Sequence, residues 1–385
     1  MSTPNIDPVT PQAIDLGLYV HLPFCASRCA YCTFVVTTSR DLLDPYMKAL
    51  ESEIEMIGLP RGVELNTLYF GGGTPSQVPL PAFSSLAARI AASNPIQAET
   101  EFTAEANPED VSDELLAAWA SAGVNRISIG VQSFVPGELA ALDRRHDAAK
   151  AVEAARRIQE TGAFKLSIDL MLAIPHQDLA TLERSLDTLL EIRPHHVSVY
   201  LLEMDKPHRL QAYARRYPEQ LADEEQAAAL YLEVHHRLAG AGYEHYEISN
   251  FALPGMAARH NTRYWERRRV EALGVAAHGI DGDRRWANLD NLQGYLLAVE
   301  RGTRPLAWSN ALNGREVLAE DVMLGLRLAR GVATPRVAEA RSEFRGFGNR
   351  LDEFLGLDLA EELDGRTRLT PSGWLLSNEL FVELV

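Results

Sequence analysis

The run Tyr19-Val20-His21-Leu22-Pro23-Phe24-Cys25-Ala26-Ser27-Arg28-Cys29-Ala30-Tyr31-Cys32 contains all three cysteines of a 385-residue chain. Their spacing is C-x3-C-x2-C, and three thiolates so close in sequence can converge on one small inorganic core. Around a cubane iron–sulfur cluster, three thiolates leave one iron without a protein ligand. An open iron can take a substrate or cofactor, so the spacing points to reactivity more than to structural stapling. A structural zinc site is the competing reading, and it needs a fourth ligand such as His21. Zinc motifs come as paired C-x2-C knuckles, and the chain has no second one.

Outward from this run, a unit recurs every ~25–35 residues: a short apolar run rich in β-formers, a loop, then an amphipathic helical stretch. Strands are expected at 18–22, 67–70, 99–105, 126–132, 165–172 and 196–201. Helices are expected at 45–57, 81–92, 114–122, 148–161 and 179–192. Strands and helices alternating in this way imply right-handed crossovers and a parallel sheet. In such folds the chemistry gathers at the C-terminal strand ends. The six ends deliver the cysteine loop, Gly71-Gly72-Gly73-Thr74-Pro75, Glu105-Ala106-Asn107-Pro108, Gly130-Val131-Gln132, Asp169 and Leu202-Glu203. Each alone has a structural reading as a turn or a cap. Six in register on one face point to a site. The triple glycine suits close approach of a ligand to peptide N–H groups, and it lacks the ending of a Walker loop.

With Tyr31 before the last cysteine and Tyr-x-His-x-Pro-Phe before the first, the motif resembles the radical S-adenosylmethionine (SAM) superfamily. Within it, the run is similar to the branch holding oxygen-independent coproporphyrinogen III oxidase and the HemW-type haem chaperones. The resemblance implies an α/β fold: a partial (βα)6 TIM-type barrel with an α/β extension and a C-terminal winged-helix-like domain. The expected divisions are a tail at 1–16, the barrel at 17–205, the extension at 206–305 and the last domain at 306–385. It further implies a 4Fe-4S cluster on Cys25, Cys29 and Cys32, whose open iron is chelated by SAM; one electron then cleaves SAM to a deoxyadenosyl radical. Position by position, it places Tyr19, Tyr31, Gly72, Gly73, Thr74, Glu105, Gln132, Arg144 and Asp169 in SAM contact. Arg144 falls in the family's Gly-Arg-x-His segment, here Asp143-Arg144-Arg145-His146. The family's Gly-Leu-Pro-Gly-Gln reads Ala173-Ile174-Pro175-His176-Gln177, and the match is poor around Leu202 to Asp205.

Two features separate the nearest relatives. The oxidase motif continues to a fourth cysteine, where this chain has Phe34, as HemW-like proteins do. The oxidase also carries a long N-terminal extension, whereas few residues precede the first strand here. A second signature, Arg259-His260-Asn261-Thr262-Arg263-Tyr264-Trp265, matches His-Asn-x-x-Tyr-Trp of HemW-like proteins. It implies haem binding by His260, Asn261, Tyr264 and Trp265. Histidine is a usual haem ligand, and aromatic faces stack on a flat macrocycle. Arg259, Arg263, Arg267, Arg268 and Arg269 would form a cationic patch suited to haem propionates. The alternative is structural: a loop anchor, two core aromatics and a solvated basic face.

The formal net charge of −16 argues against a nucleic-acid or anionic-membrane binder. No run reaches the ~18–20 apolar residues of a membrane span, which leaves peripheral membrane contact open. Residues 1–15 carry no signal pattern. All three cysteines serve one motif, which fits a reducing cytoplasm. Short helices are expected at 321–328, 335–344 and 349–355, then a hairpin near Asp364-Gly365. Three functions follow. One is a HemW-type chaperone that passes haem to an acceptor protein, for instance of the respiratory chain. The others are oxygen-independent coproporphyrinogen III oxidase and a radical SAM methyltransferase of the same branch.

Overall fold

The computed structural model describes residues 15–59 and 63–384, so nearly all of the tail expected at 1–16 lies outside the described residues. Six strands run parallel and side by side in chain order: β1 (Leu16–Leu22), β2 (Leu65–Gly72), β3 (Glu101–Ala106), β4 (Arg126–Gln132), β5 (Lys165–Leu172) and β6 (His196–Leu201). They read as near-continuous apolar runs because helices cover one face while the other turns inward. The helix Leu80–Ser93 buries Phe83, Leu86 and Ile90 against the sheet. The helix Leu179–Ile192 starts at an Asp178/Thr181 capping box and buries Leu182, Leu186 and Leu189. Each helix returns the chain to the start of the next strand, so all the C-terminal strand ends open on one side.

The segment 206–305 adds strands at both edges of this sheet. They are β7 (Glu244–Glu247), β8 (Asn250–Ala252), β9 (Val270–Leu273), β10 (His278–Asp281) and β11 (Arg284–Asn288), followed by β12 (Leu306–Ala311). β8 pairs antiparallel with β6, and β7 with β8. β9 runs parallel to β1, and β10, β11 and β12 follow antiparallel. The result is one 12-stranded sheet in the order β12-β11-β10-β9-β1-β2-β3-β4-β5-β6-β8-β7.

The helix Arg259–Trp265, which carries the second signature, closes the floor beneath the first strands. The carboxylate of Glu101 accepts hydrogen bonds from the N–H groups of Arg259 (3.1 Å) and His260 (2.8 Å). An anion at a helix N-terminus satisfies donors that otherwise have no partner. The His260 Nδ1 pairs with Thr67 Oγ1 at 2.8 Å, tying the same turn to β2.

The C-terminal part has its own core around Val322, Phe347, Leu351 and Leu380. Three helices, Gly314–Gly325, Thr334–Glu343 and Arg345–Gly356, precede a hairpin of β14 (Ala360–Leu363) and β15 (Arg366–Leu369). β13 (Val332–Ala333) joins β15, giving a winged-helix-like arrangement. The helix expected at 321–328 begins instead at Gly314, because Asn313 and Glu316 form a capping box there. The Ile248 N–H donates to Arg327 O (2.9 Å) and Ala329 N–H to Tyr246 O (3.0 Å), fastening this unit to β7.

Removing the Glu101 carboxylate (Glu101→Ala) strands the buried amide of His260, the partly buried amide of Arg259 and the neighbouring Arg126, 3.9 Å away. The expected loss is about 3 kcal/mol of unfolding free energy in a denaturant titration. A loss below about 1 kcal/mol would mean the floor helix is held by other contacts.

Candidate active site at the open end of the sheet

A cavity of about 870 Å³ opens at the C-terminal ends of the parallel strands. Its construction starts with the cysteine loop, which is hung on the end of β2. The Gly73 N–H donates to Leu22 O and the Thr74 N–H to Phe24 O, both at 2.9 Å. A Cβ on Gly73 would stand 2.6 Å from Leu22 O and from the carbonyl carbon of Pro23, so only glycine fits. Gly72 has φ +100°, and its N–H donates to Glu105 Oε2 at 3.1 Å. This corrects the expectation of peptide groups held out to a ligand. The three N–H groups of Gly72, Gly73 and Thr74 serve to pack the chain upon itself.

Cys25, Cys29 and Cys32 are free, partly buried and on one wall of the cavity. Cys25 Sγ lies 3.4 Å from Thr74 Oγ1, and Arg144 Nη1 donates to Cys29 Sγ at 3.2 Å. Asn107 Oδ1 (2.8 Å) and Gly130 O (2.6 Å) accept from Arg144 Nη2 and aim that guanidinium. Burial pushes the Cys25 thiol up to about 11 and raises Cys32 as well. Iron binding would have to displace these protons, and Arg144 would then face the sulfur charge. The donor set fits an iron–sulfur cluster. It does not fit the zinc reading with His21, whose ring nitrogens are engaged by Tyr19 OH (3.2 Å) and Val35 O (2.9 Å).

Two carboxylates stand behind the cysteines. Tyr69 OH donates to Glu105 Oε1 at 2.7 Å, and Ser128 Oγ donates to Asp169 Oδ1 at 2.9 Å. Burial, with the charge of Asp169 adding to it, pushes Glu105 up to about 7. Burial likewise holds Asp169 at about 6, against hydrogen bonds from Ser198 and Ser128. Such groups are poised to ionise when a cation settles beside them. Gln132 adopts φ 70° where the β4–β5 register slips between Gly130 and Gln132. A non-glycine residue there costs on the order of 1–3 kcal/mol, a feature concentrated at functional sites.

Of the expected cluster ligands, SAM contacts and His-Asn-x-x-Tyr-Trp residues, the cavity wall gathers all but Tyr19 and His260. Tyr19 lies below the wall, with its ring 5.9 Å from Tyr69 and 6.3 Å from His260. His260 is only 2% exposed and packs its ring 5.2 Å from Tyr69 and 5.7 Å from Tyr264. Burial lowers its pKa to about 3, so it is a neutral member of the floor. Asn261, Tyr264 and Trp265 do reach the cavity. The expected arginine patch is not formed. Arg263 pairs with Asp15 (2.6 Å), Arg267 with Glu320 (2.6 Å) and Asp321, Arg268 with Glu266 (2.7 Å) and Arg269 with Glu271 (3.0 Å). Arg259 donates to Glu99 O (2.7 Å) and Asn66 O (3.1 Å). The far wall comes from the turn between β7 and β8 and from the C-terminal unit, including Asn250, Arg327 and Trp374. Nothing in local sequence marked Arg327 or Trp374.

Residues 19–189 match the family model of the radical SAM superfamily. The chain is 34% identical to the haem chaperone HemW of Bacillus subtilis, over 94% of this chain and 97% of that protein. The chain belongs to the HemW family of radical SAM proteins. It is 31% identical to HemW of Lactococcus lactis, over 94% of this chain and 95% of that protein. It is also 33% identical to the bovine mitochondrial radical S-adenosyl methionine domain-containing protein 1, over 84% and 75% of the two chains. The structure of coproporphyrinogen III oxidase (HemN) from Escherichia coli shares the fold, with a TM-score of 0.83 over 96% of this chain and 90% of that one, at 22% identity. Membership in the radical SAM superfamily implies a 4Fe-4S cluster and SAM.

SAM is cationic at its sulfonium and ammonium groups, and bound beside those acids it would select their ionised form. Its affinity is therefore expected to fall as pH drops through about 7 and then about 6, the values at which Glu105 and Asp169 become protonated. Glu105→Gln should flatten the upper part of that profile. Calorimetric titration of SAM across the range checks this, and a level profile in the parent protein would contradict it.

Proposed function

We propose that the protein is a haem chaperone that carries a 4Fe-4S cluster on Cys25, Cys29 and Cys32 and SAM beside it. In this reading Tyr31, Gly72, Gly73, Thr74, Glu105, Gln132, Arg144 and Asp169 line or shape the SAM pocket, and Tyr19 supports it from below through His21. The bound cluster with SAM supplies one-electron chemistry that drives or regulates haem transfer to an acceptor protein. Haem lies over Asn261, Tyr264 and Trp265, with His260 holding that helix in place. Cytoplasmic residence and an acceptor in the respiratory chain belong to the same proposal. No helix among the described residues is long and apolar enough to cross a membrane.

The observation that carries this reading is Phe34. It occupies the position of the oxidase's fourth cysteine and stands 63% exposed on the cavity wall, beside the three thiols. An exposed phenyl ring there offers a flat apolar face to a macrocycle and no further sulfur ligand. The shared fold with coproporphyrinogen III oxidase keeps oxidative decarboxylation as the second reading.

Anaerobic, cluster-reconstituted protein titrated with haem should give a saturable Soret band. Tyr264→Ala with Trp265→Ala should weaken binding by about tenfold or more. With coproporphyrinogen, SAM and reductant, no protoporphyrinogen should form. A saturable spectrum that the double variant leaves unchanged, or protoporphyrinogen appearing in step with 5′-deoxyadenosine, would overturn the chaperone reading.

A further inference from the structure

The far end of the cavity holds buried polar atoms that have no hydrogen-bond partner among the described residues. Arg327 Nε, Glu247 Oε1 and Asn250 Oδ1 are all buried without a hydrogen-bond partner, and all three residues line the cavity. Native proteins leave few such atoms, and several gathered on one wall need an explanation. Arg327 stands out among them. Its guanidinium carbon lies 5.4 Å from the Trp265 ring centre and 5.3 Å from that of Phe381. Two aromatic rings thus hold a cation that makes no side-chain hydrogen bond or ion pair with any described residue.

The backbone is equally fixed, since Arg327 O accepts the Ile248 N–H at 2.9 Å. The other arginines of the wall are spoken for or lie at the cysteine end. Arg144 is bound to Cys29, Asn107 and Gly130, and Arg28 donates to Cys32 O (3.2 Å). Glu247, the acid whose charge acts on Arg327, forms no ion pair with it. Burial pushes Glu247 up to about 7, so near neutral pH it is only partly ionised and its charge only partly offsets the guanidinium. A preorganised guanidinium in a partly buried wall is matched by a planar anion that accepts two parallel N–H bonds.

We infer that Arg327, clamped between Trp265 and Phe381, anchors a carboxylate of the cargo. Resting on the haem reading above, that carboxylate is a porphyrin propionate. The macrocycle then lies over Tyr264 and Trp265, with its acidic edge toward the C-terminal unit. This role replaces the one expected of the arginines between Arg259 and Arg269, and it makes the C-terminal unit part of the binding site.

The test uses the full, cluster-reconstituted chain under anaerobic conditions, titrated with haem and with haem dimethyl ester. The parent protein should bind the ester about tenfold or more weakly than the acid, as loss of a charge-assisted pair implies. Arg327→Gln should lose a similar factor for the acid and none for the ester, with SAM affinity unchanged. Arg327→Lys, which keeps the charge without the fork, should fall between. Equal affinity of the parent protein for acid and ester, or equal loss of both in Arg327→Gln, would overturn the assignment. If Arg327→Gln fails to fold, the acid–ester comparison in the parent protein and Arg327→Lys decide. If the parent protein binds no haem, metal-free coproporphyrin and its tetramethyl ester take their place. An Arg327-dependent preference for the acid would then uphold the carboxylate site while the haem reading fails, and binding of neither would remove both.

Discussion

Two peptide hydrogen bonds, from Gly73 and Thr74 to the carbonyls of Leu22 and Phe24, suture the ends of the first two strands. The suture requires contact distance between backbones, which is why position 73 has no room for a Cβ. With it in place, the cysteine loop leaves β1 over the mouth of the sheet instead of running outward. Thr74 then touches Cys25, and Gly72 delivers its N–H to Glu105. The thiols and the acids therefore share one cavity because the chain is stitched to itself at its most glycine-rich point.

The floor completes that enclosure. Glu101, buried at the lower end of β3, binds the first two amides of the helix Arg259–Trp265 and sets its direction. His260 then turns into the packed layer of Tyr69 and Tyr264, while Asn261, Tyr264 and Trp265 face the cavity. The far wall comes from the turn between β7 and β8 and from residues of the C-terminal unit more than fifty positions later in the chain. One cavity is thus bounded by the parallel strands, by a helix from the segment that widens the sheet, and by the C-terminal unit.

Much of this was legible in sequence. The expected strands at 126–132, 165–172 and 196–201 coincide with β4, β5 and β6, since long β-rich runs between amphipathic helices leave little choice of boundary. The gathering of the cysteines with Glu105, Gln132 and Asp169 followed from the rule that parallel strands expose their C-terminal ends together, whereas Arg144 was placed there by the family resemblance alone. The edge strands were not legible. β7, β8 and β9 are 4, 3 and 4 residues long, too short for a periodicity to emerge, and their register is set by strands far away in sequence. Arg263 and Arg267 looked like part of an open basic face because their partners Asp15, Glu320 and Asp321 are distant in sequence. Arg327 was not legible either, because its lack of an ion pair among the described residues depends on which distant side chains pack around it.

The central claim is that three thiols hold an iron–sulfur cluster with an open iron facing a SAM pocket lined by Glu105 and Asp169. Electron paramagnetic resonance of the reduced, anaerobically reconstituted protein tests it directly. The account predicts a 4Fe-4S signal that changes shape when SAM is added, because SAM binds the cluster itself. No iron–sulfur signal, or one that SAM leaves unaltered, would contradict it.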